Sequence, residues 1–508
     1  MSRTEKFFKN SITTALYQIV VMIAGFIVPR IMIGYYGSEI NGLVTSVTQF
    51  VSYFNLVEAG LASAAAYALY KPLAEKDNPA ISSIVSASRR FYNIAGGMFF
   101  ALTVLMSIIY PIFVKADELD PFMVALLVLA IGASGALEFL TMARYRVLLS
   151  ADQRTYVLSM ATIAAIFINT TVIAVLSSLD ANIVLVRTVA LSSVFVRSGI
   201  LMIYVRRHYK DVDYHAKPNN AALSKRWDAL TLQILGTIQV GAPVIIATAC
   251  CSLELVSVYT VFYMVINGIN GILSIFQSGL AAAFGEVIAK GEQKTLQTAY
   301  SDFEYTYHIL VTIVYSITGI MLLPFIRIYT LGVTDVNYDM PLFGFLFVLS
   351  GILYNIKTPQ SMLVNSAGLY KETKIQTIIQ GVIMVVGGFA LAPIWGLEGI
   401  IVASILSNLY RCIDLCFFIP KYVTGLPKRS SIISMAITTL TSVALIISFQ
   451  KIWNLAPSGY LQWTIAAFGA AAYSAAGTFI VFSLYSPSKM KSVFSRLKGF
   501  LKGRGARV

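Results

Sequence analysis

Charged side chains stand inside stretches of sequence that are otherwise apolar. Lys357, Arg197 and Arg411 lie near the middle of such stretches, counted from the polar residues that flank them. An ionised group at that depth in a bilayer costs roughly 3 kcal/mol or more unless it faces water or a partner. Cations outnumber acids at these depths, and Arg and Lys bind phosphate through charge-assisted hydrogen bonds. The pattern therefore favours a hydrated cavity that receives an anionic group.

The candidate site consists of intramembrane cations, two amides and two acids. Lys357 is the foremost candidate, because Pro359 bends the helix beside it and frees backbone groups. We predict substrate contacts at Lys357, Arg89, Arg90, Arg30, Arg144, Arg197, Gln49 and Gln360, and coupling through Glu58 or Glu138.

Structural roles stay open for several of these residues. Arg30 can extend to the outer interface, and buried amides can simply join helices. Glu58 can form an ion pair with Arg89 or Arg90 on the next helix, or it can bind and release a proton as a coupling group. Arg411 and Asp414 stand at positions i and i+3, a spacing that favours an ion pair on one helix face.

The apolar stretches are long and numerous enough to be membrane spans. Of the 508 residues 57% are hydrophobic and only 12% are charged, and the mean hydropathy is +0.74. Soluble domains carry roughly 25% charged residues, so this chain cannot supply a water-facing surface over its length. With roughly 20 residues for each helical span, we predict helices at 11–35, 40–68, 81–113, 121–147, 156–177, 183–205, 229–250, 255–288, 302–327, 341–368, 375–394, 398–420, 432–450 and 461–485.

The distribution of Lys and Arg predicts that both termini are cytoplasmic. With the N-terminus inside, the inner loops and the tail from Lys489 to Arg507 hold most of the cations, whereas the outer loops hold only Lys115, Arg327 and Lys451. This alternation continues through all 14 predicted spans, as the positive-inside rule requires. It also explains the net charge of +14 without a nucleic-acid partner.

Two short matches relate the halves of the chain. Glu58–Ala64 in helix 2 matches Gln277–Ala283 in helix 8, and motifs around Gly135 and Ala151 match motifs around Gly351 and Ala367. Two six-helix lobes of equal orientation suit alternating access, with the substrate between the lobes. We therefore predict an N-lobe over 1–205, a cytoplasmic linker over 206–228, a C-lobe over 229–420, helices 13 and 14 over 421–488, and a basic amphipathic tail over 489–508.

Motifs near the start of the chain resemble those of a known family. Pro29-Arg30, Gly37 and Gly42 are followed by Glu58–Leu61 and Leu69–Leu73. With its predicted helix count and layout, the whole chain resembles the polysaccharide (O-antigen, Wzx-type) flippases of the multidrug/oligosaccharidyl-lipid/polysaccharide (MOP) exporter superfamily. The resemblance implies two six-helix bundles that form a V. It also implies that an undecaprenyl-pyrophosphate-linked oligosaccharide moves to the outer leaflet of a bacterial cytoplasmic membrane, for cell-surface polysaccharide synthesis.

Other functions are weighed against the same features. A lipid II flippase of the superfamily stays open, and a cation-coupled multidrug exporter is less favoured because segment 11–35 contains no Asp or Glu. An enzyme is not expected, since the outer loops are short and the sequence shows no nucleophile–base pair, metal cluster or nucleotide motif. No cofactor is expected. The expected partners are the lipid-linked oligosaccharide, anionic lipids at the tail, polysaccharide polymerase and glycosyltransferases.

Overall fold

A computed structural model describes residues 3–58, 61–214, 216–219, 226–278, 280–453 and 455–491. All regular structure in these residues is helical. In chain order the α-helices are α1 (Arg3–Phe54), α2 (Leu61–Glu75), α3 (Asn78–Phe113), α4 (Pro121–Thr141), α5 (Ala143–Ala151), α6 (Thr155–Ser178), α7 (Ile183–Ala190), α8 (Ser192–His208), α9 (Arg226–Cys250), α10 (Leu253–Ser278), α11 (Leu280–Ala289), α12 (Gln293–Tyr329), α13 (Pro341–Ile356), α14 (Thr358–Ser366), α15 (Lys374–Ile419), α16 (Lys428–Ile452) and α17 (Tyr460–Tyr485).

Two compact units make up the chain. Unit 1 contains Met1–Thr260 together with Gly332–Val336, and unit 2 contains Val261–Leu331 together with Asn337–Val508. The lobe boundaries drawn from the sequence stay a prediction. Residues 220–225 of the predicted linker, and the predicted amphipathic tail beyond Lys491, lie outside the described residues.

Within the described residues, eleven helical segments are long and apolar enough to cross a membrane. Two of them, Lys9–Glu58 and Lys374–Thr424, are 50 and 51 residues long, more than twice the roughly 20 residues that one span needs. Each turns at a glycine with positive φ, Gly37 at 77° and Gly396 at 59°. Each therefore supplies two predicted spans, and α9 adds the shorter apolar segment Gly236–Cys250. An all-α polytopic membrane protein with about 14 spans is confirmed.

Several predicted spans are interrupted rather than continuous. The 3₁₀ turn Asn55–Glu58 follows α1, and α4 gives way to α5 at Met142. α13 gives way to α14 at Lys357, beside Pro359. Proline lacks a backbone N–H and cannot complete the regular hydrogen-bond ladder of a helix. The candidate residues Glu58 and Lys357 thus lie at helix interruptions.

Small residues let α3 and α4 approach closely in unit 1. A Cβ atom at Gly135 would lie 2.3 Å from the Phe99 ring, and one at Gly132 would lie 2.2 Å from the Thr103 side chain. Such contacts between small residues are a common basis of helix association in membranes. The close approach fixes the end of α4, where Glu138 and Phe139 lie, against α3.

α12 is the best buried long helix of unit 2. It packs against α13, α16 and α17. Two glycines allow this contact, because a Cβ at Gly351 would lie 2.4 Å from the Tyr315 ring and one at Gly319 would lie 2.3 Å from Ile446. The polar side chains of α12 are therefore surrounded by neighbouring helices, and they must find hydrogen-bond partners there.

Candidate functional site

Two ion pairs surround a small cavity in unit 1, which we call the charged cavity. The Glu58 carboxylate accepts hydrogen bonds from the Arg146 guanidinium and, at 3.0 Å, from the Tyr92 hydroxyl. Arg197 donates to Glu138 at 2.6 Å. The cavity has a volume of ≈ 30 Å³, enough for about one or two water molecules. All four ion-pair residues line it.

The ion pairs depend on the interruption at Met142. Glu138 lies in the last turn of α4, and Arg146 lies in α5, which follows the interruption at Met142. Arg146, which sequence analysis did not single out, is the cation that the structure places against Glu58. Because each carboxylate of the charged cavity has a guanidinium partner, the two pairs together carry no net charge.

The other candidates of unit 1 bond to different neighbours and do not converge on one another. The half-buried Arg89 donates to the Tyr214 carbonyl oxygen at 3.3 Å, whereas Arg90 is exposed and Arg30 is half-buried. Arg144 donates to the Tyr145 hydroxyl at 3.1 Å. Gln49 donates to the Ser52 hydroxyl at 2.9 Å. Their roles as substrate contacts stay predictions.

Lys357 of unit 2 is a buried cation held by neutral groups. Its side chain is buried, with the residue 7% exposed. Nζ donates to Asn408 Oδ1 at 2.7 Å and to the Tyr354 carbonyl oxygen at 3.3 Å. It also lies 4.2 Å from the centroid of the Tyr354 ring. In the part of the chain that the structure describes, no carboxylate forms an ion pair with Lys357.

The cation nearest to Lys357 along its partner helix is already neutralised. Arg411 lies three residues after Asn408 on α15 and donates to Asp414 at 2.6 Å. The ion pair predicted from the i, i+3 spacing is thus confirmed. The positive charge left without a carboxylate partner in this region is that of Lys357.

Sequence analysis missed a buried polar row on α12. Tyr300, Glu304 and His308 follow one another at intervals of four residues, a spacing that places them on one helix face and could have revealed them. Glu304 accepts from the Tyr300 hydroxyl at 2.9 Å and from Gln360 Nε2 at 2.7 Å. Gln360, predicted to contact substrate, is buried with its amide directed to this acid.

The carbonyl groups beside the interruption at Lys357 are satisfied by side chains. His308 Nε2 lies 3.0 Å from the Ile356 carbonyl oxygen, and Nδ1 lies 2.7 Å from the Ser434 hydroxyl. Because a carbonyl oxygen only accepts, Nε2 carries a proton. His308 therefore supplies a side-chain donor to a carbonyl oxygen beside the interruption, where the helical ladder is incomplete.

Buried amides of unit 2 join helices. Asn355 Nδ2 donates to Asn270 Oδ1 at 2.8 Å, and the Tyr315 hydroxyl donates to the same oxygen at 2.8 Å. Gln277 Nε2 donates to the Tyr307 hydroxyl at 2.8 Å. These bonds connect α10, α12 and α13, which is the structural role that sequence analysis left open for such amides.

The known proteins that this chain resembles are found by structure. No protein-family profile matches the sequence, and no curated protein matches it significantly. The lipid II flippase MurJ in an inward closed conformation matches with a TM-score of 0.69 at 12% identity, over 94% of this chain and 98% of that chain. An inward-facing multidrug resistance MATE family transporter of the MOP superfamily matches with a TM-score of 0.62 at 14% identity, over 85% of this chain and 98% of that chain.

A third structure extends the comparison to eukaryotes. The eukaryotic MATE transporter AtDTX14 matches with a TM-score of 0.54 at 13% identity, over 86% of this chain and 99% of that chain. At such low identity the similarity establishes the fold. The chain has the two-lobed fold of the MOP-superfamily transporters, and it is a multi-pass membrane protein.

Proposed function

We propose that this chain is a flippase that moves an undecaprenyl-pyrophosphate-linked oligosaccharide from the inner to the outer leaflet of a bacterial cytoplasmic membrane. Transport proceeds by alternating access and supplies the synthesis of cell-surface polysaccharide. The observation that carries the proposal is the buried ammonium group of Lys357, whose partners are an amide oxygen, a carbonyl oxygen and an aromatic ring.

The ammonium group has capacity for a ligand. Lys Nζ has three N–H donors, and the hydrogen bonds to Asn408 and Tyr354 use two of them. Burying a charge without a counter-charge is unfavourable, so an anion that reaches Lys357 gains a charge-assisted hydrogen bond and relieves that cost. A pyrophosphate group has the localised negative charge and the oxygen acceptors that this site requires.

A cationic cargo is less well supported by the same residues. Three acids within the predicted spans, Glu58, Glu138 and Asp414, are each paired with an arginine. The buried Glu304 instead accepts from the Tyr300 hydroxyl and the Gln360 amide. A cationic drug would have to displace a guanidinium at any of the three pairs, or the hydrogen-bond donors that already occupy Glu304. Segment 11–35 also contains no acid. The arrangement therefore favours an anionic headgroup over the cargo of a cation-coupled exporter.

Lipid II is a second candidate cargo, favoured by the MurJ match over 94% of this chain. Lipid II also carries a polyprenyl pyrophosphate, so Lys357 would serve both substrates in the same way. Expression of this chain in cells depleted of their own lipid II flippase distinguishes the two cargoes. Restored growth would assign lipid II, and failure to restore growth by a well-expressed protein supports the oligosaccharide.

The decisive experiment follows the lipid-linked oligosaccharide directly. The full chain is reconstituted in liposomes with a labelled lipid-linked oligosaccharide in the inner leaflet, and the label that becomes accessible from outside is measured over time. Wild type is expected to expose the label, and Lys357→Ala is expected to lose about 10-fold or more of the rate. Lys290→Ala, at an exposed lysine directly after the end of α11, is the matched control. Equal rates in empty liposomes would overturn the proposal.

The orientation and partners form part of the same proposal. Both termini are cytoplasmic, and the basic tail over 489–508 binds anionic lipid through its cations and its apolar side chains. Polysaccharide polymerase and glycosyltransferases are the proteins expected to act on the transported product and to supply the substrate. Cysteine labelling at Lys115, in the α3–α4 connection, from the outside of intact cells would establish this orientation, and labelling only after lysis would reverse it.

A further inference from the structure

A second cavity opens at one end of unit 1, distinct from the charged cavity. It lies where α1 turns at Gly37, where α3 connects to α4, and where α6 connects to α7. Its volume is ≈ 490 Å³, within the range of about 300–1,000 Å³ that is usual for small-molecule sites. The residues that concern its chemistry are Tyr35, Tyr36, Glu118, Ser177, Asp180 and Asn182.

The connection between α6 and α7 has a fixed conformation. The Asp180 N–H donates to the Ser177 carbonyl at 3.1 Å, and the Ala181 N–H donates to the Leu176 carbonyl at 3.1 Å, which is a Schellman motif. Asp180 has a φ of 53° at the position where glycine is usual. The connection is held to α1 by the Tyr36 hydroxyl, which donates to the Ala181 carbonyl at 2.7 Å. The chain thus keeps a carboxylate at the cavity where a glycine would fit more easily.

One polar atom at the cavity lacks a partner. Ser177 is fully buried, and its hydroxyl oxygen forms no hydrogen bond within the described structure. A buried hydroxyl without a partner costs free energy, and nearly all such groups in folded proteins are satisfied. Because the wall of the cavity covers this oxygen, a hydroxyl or amide of a ligand reaches it only if the end of α6 moves.

The lining combines an aromatic ring with hydrogen-bonding groups. Tyr35 exposes 54% of its surface, and Asp180 and Asn182 follow the end of α6 on the same cavity. A sugar ring has an apolar face that packs on an aromatic ring and hydroxyl groups that donate to carboxylate and amide oxygens. The residue types therefore match a saccharide.

The charges of the cavity exclude phosphate as its ligand. Burial raises the pKa of Glu118, and the nearby carboxylates of Asp335 and Glu254 raise it further. Asp335 is fixed close by, since it accepts from the backbone N–H of Ser38 at 2.6 Å. Carboxylates repel a phosphate group, so a ligand of this cavity is expected to carry no negative charge.

We propose that this cavity binds the uncharged sugar portion of the transported lipid, at a site separate from Lys357. The source of that sugar rests on the proposed function. In the orientation proposed above, the cavity faces the outer side of the membrane. It would therefore engage the oligosaccharide on the side where the substrate is released.

The test uses the full chain in nanodiscs and two soluble uncharged probes, an N-acetylglucosamine tetramer and a maltose-type tetramer. Binding is measured by saturation-transfer NMR and by calorimetry. Wild type is expected to bind at least one probe saturably. Tyr35→Ala and Asp180→Gly are each expected to weaken binding about 5-fold or more, and Asp180→Gly keeps the left-handed backbone because glycine accepts it.

The matched control is Tyr460→Ala, because Tyr460 begins α17 and exposes 53% of its surface. If Tyr35 only anchors the chain at the membrane interface, Tyr35→Ala and Tyr460→Ala should have the same effect on probe binding. Unchanged binding in Tyr35→Ala and Asp180→Gly, or no binding of either probe to wild type, would overturn the proposal. Binding of Ca²⁺ through Glu118, with no binding of either sugar probe, would also overturn the proposal.

The outcome is separable from that of the proposed function. Loss of sugar binding in Tyr35→Ala with normal pyrophosphate-lipid binding supports both proposals. Sugar binding that persists in a chain with no lipid translocation would refute the flippase and leave the saccharide site standing.

Discussion

The charged cavity of unit 1 and the Lys357 site of unit 2 hold their charged side chains in different ways, although unit 2 also contains the paired Arg411 and Asp414. In unit 1, Glu58 and Glu138 are each paired with an arginine around the charged cavity. In unit 2, Lys357 is held by Asn408 and Tyr354. Paired charges offset each other's desolvation, whereas a cation with neutral partners remains available to an anion. We therefore expect a structural role for the paired charges of the charged cavity, whereas the binding role of Lys357 is the one that we propose.

The largest expected effect is the loss of transport in the variant Lys357→Met. We expect the rate to fall about 100-fold, because the substrate loses its charge-assisted hydrogen bond. We also expect the thermal midpoint to stay the same or to rise, since a thioether of similar length removes a buried charge that lacks a counter-charge. Liposome translocation and thermal unfolding in one detergent measure the two effects.

Lys357→Arg sharpens this prediction, because it keeps the charge while changing the geometry. It should retain more activity than Lys357→Met. The binding role proposed for Lys357 is contradicted if Lys357→Met lowers the thermal midpoint and the loss of transport is no larger than the fraction of protein that has unfolded.

The next effect is on stability and concerns the ion pair of unit 1. Arg146→Met leaves the Glu58 carboxylate with the Tyr92 hydroxyl as its hydrogen-bond partner. We expect the free energy of unfolding to fall by about 1–3 kcal/mol. This is below the range for fully buried pairs, because the Arg146 side chain is 35% exposed. Adding Glu58→Gln should recover part of the loss. A double variant whose loss equals the sum of the single losses would show that the pair is not coupled.

A smaller effect depends on pH and concerns Asp152, outside the spans. Burial would raise the pKa of Asp152, but hydrogen bonds from Lys6 and Tyr209 and the charge of Arg154 outweigh burial, so the pKa is lowered. A lowered pKa stabilises the fold above the ordinary value of about 3.9, and the stabilisation is lost as pH falls through the folded-state pKa.

Asp152→Asn tests this linkage. Its thermal midpoint should lie below that of wild type at pH 7, and the difference should shrink as the pH is lowered through 4 toward 3. A difference that is constant over this pH range would contradict the assignment.

The smallest effect is expected at an exposed pair. Glu286 in α11 and Lys290, directly after the end of α11, lie 2.6 Å apart, and both side chains are more than half exposed. Exposed pairs of this kind contribute little. Glu286→Gln should therefore leave both the thermal midpoint and the transport rate unchanged within error, and a clear loss of transport would show that charge outside the two sites matters.

Much of the fold follows from the sequence, whereas part of the site does not. Hydropathy places the 14 spans, and glycines at 37 and 396 mark the turns inside the two longest helical segments. Pro359 predicts the interruption at Lys357. The pairing of Glu58 with Arg146 joins residues 88 positions apart and depends on a helix interruption at Met142 that no proline or glycine marks. The four-residue spacing of Glu304 and His308 on α12 is visible in the sequence, but their partners Gln360 and Ser434 lie on α14 and α16, and only the fold brings them together.

The most direct test of the central claim is the binding of undecaprenyl pyrophosphate, without sugar, to wild type and to Lys357→Met, with undecaprenol as the uncharged reference. The account predicts that wild type prefers the pyrophosphate by about 10-fold or more at low salt. It also predicts that Lys357→Met loses most of this preference. An equal preference in both proteins would contradict it.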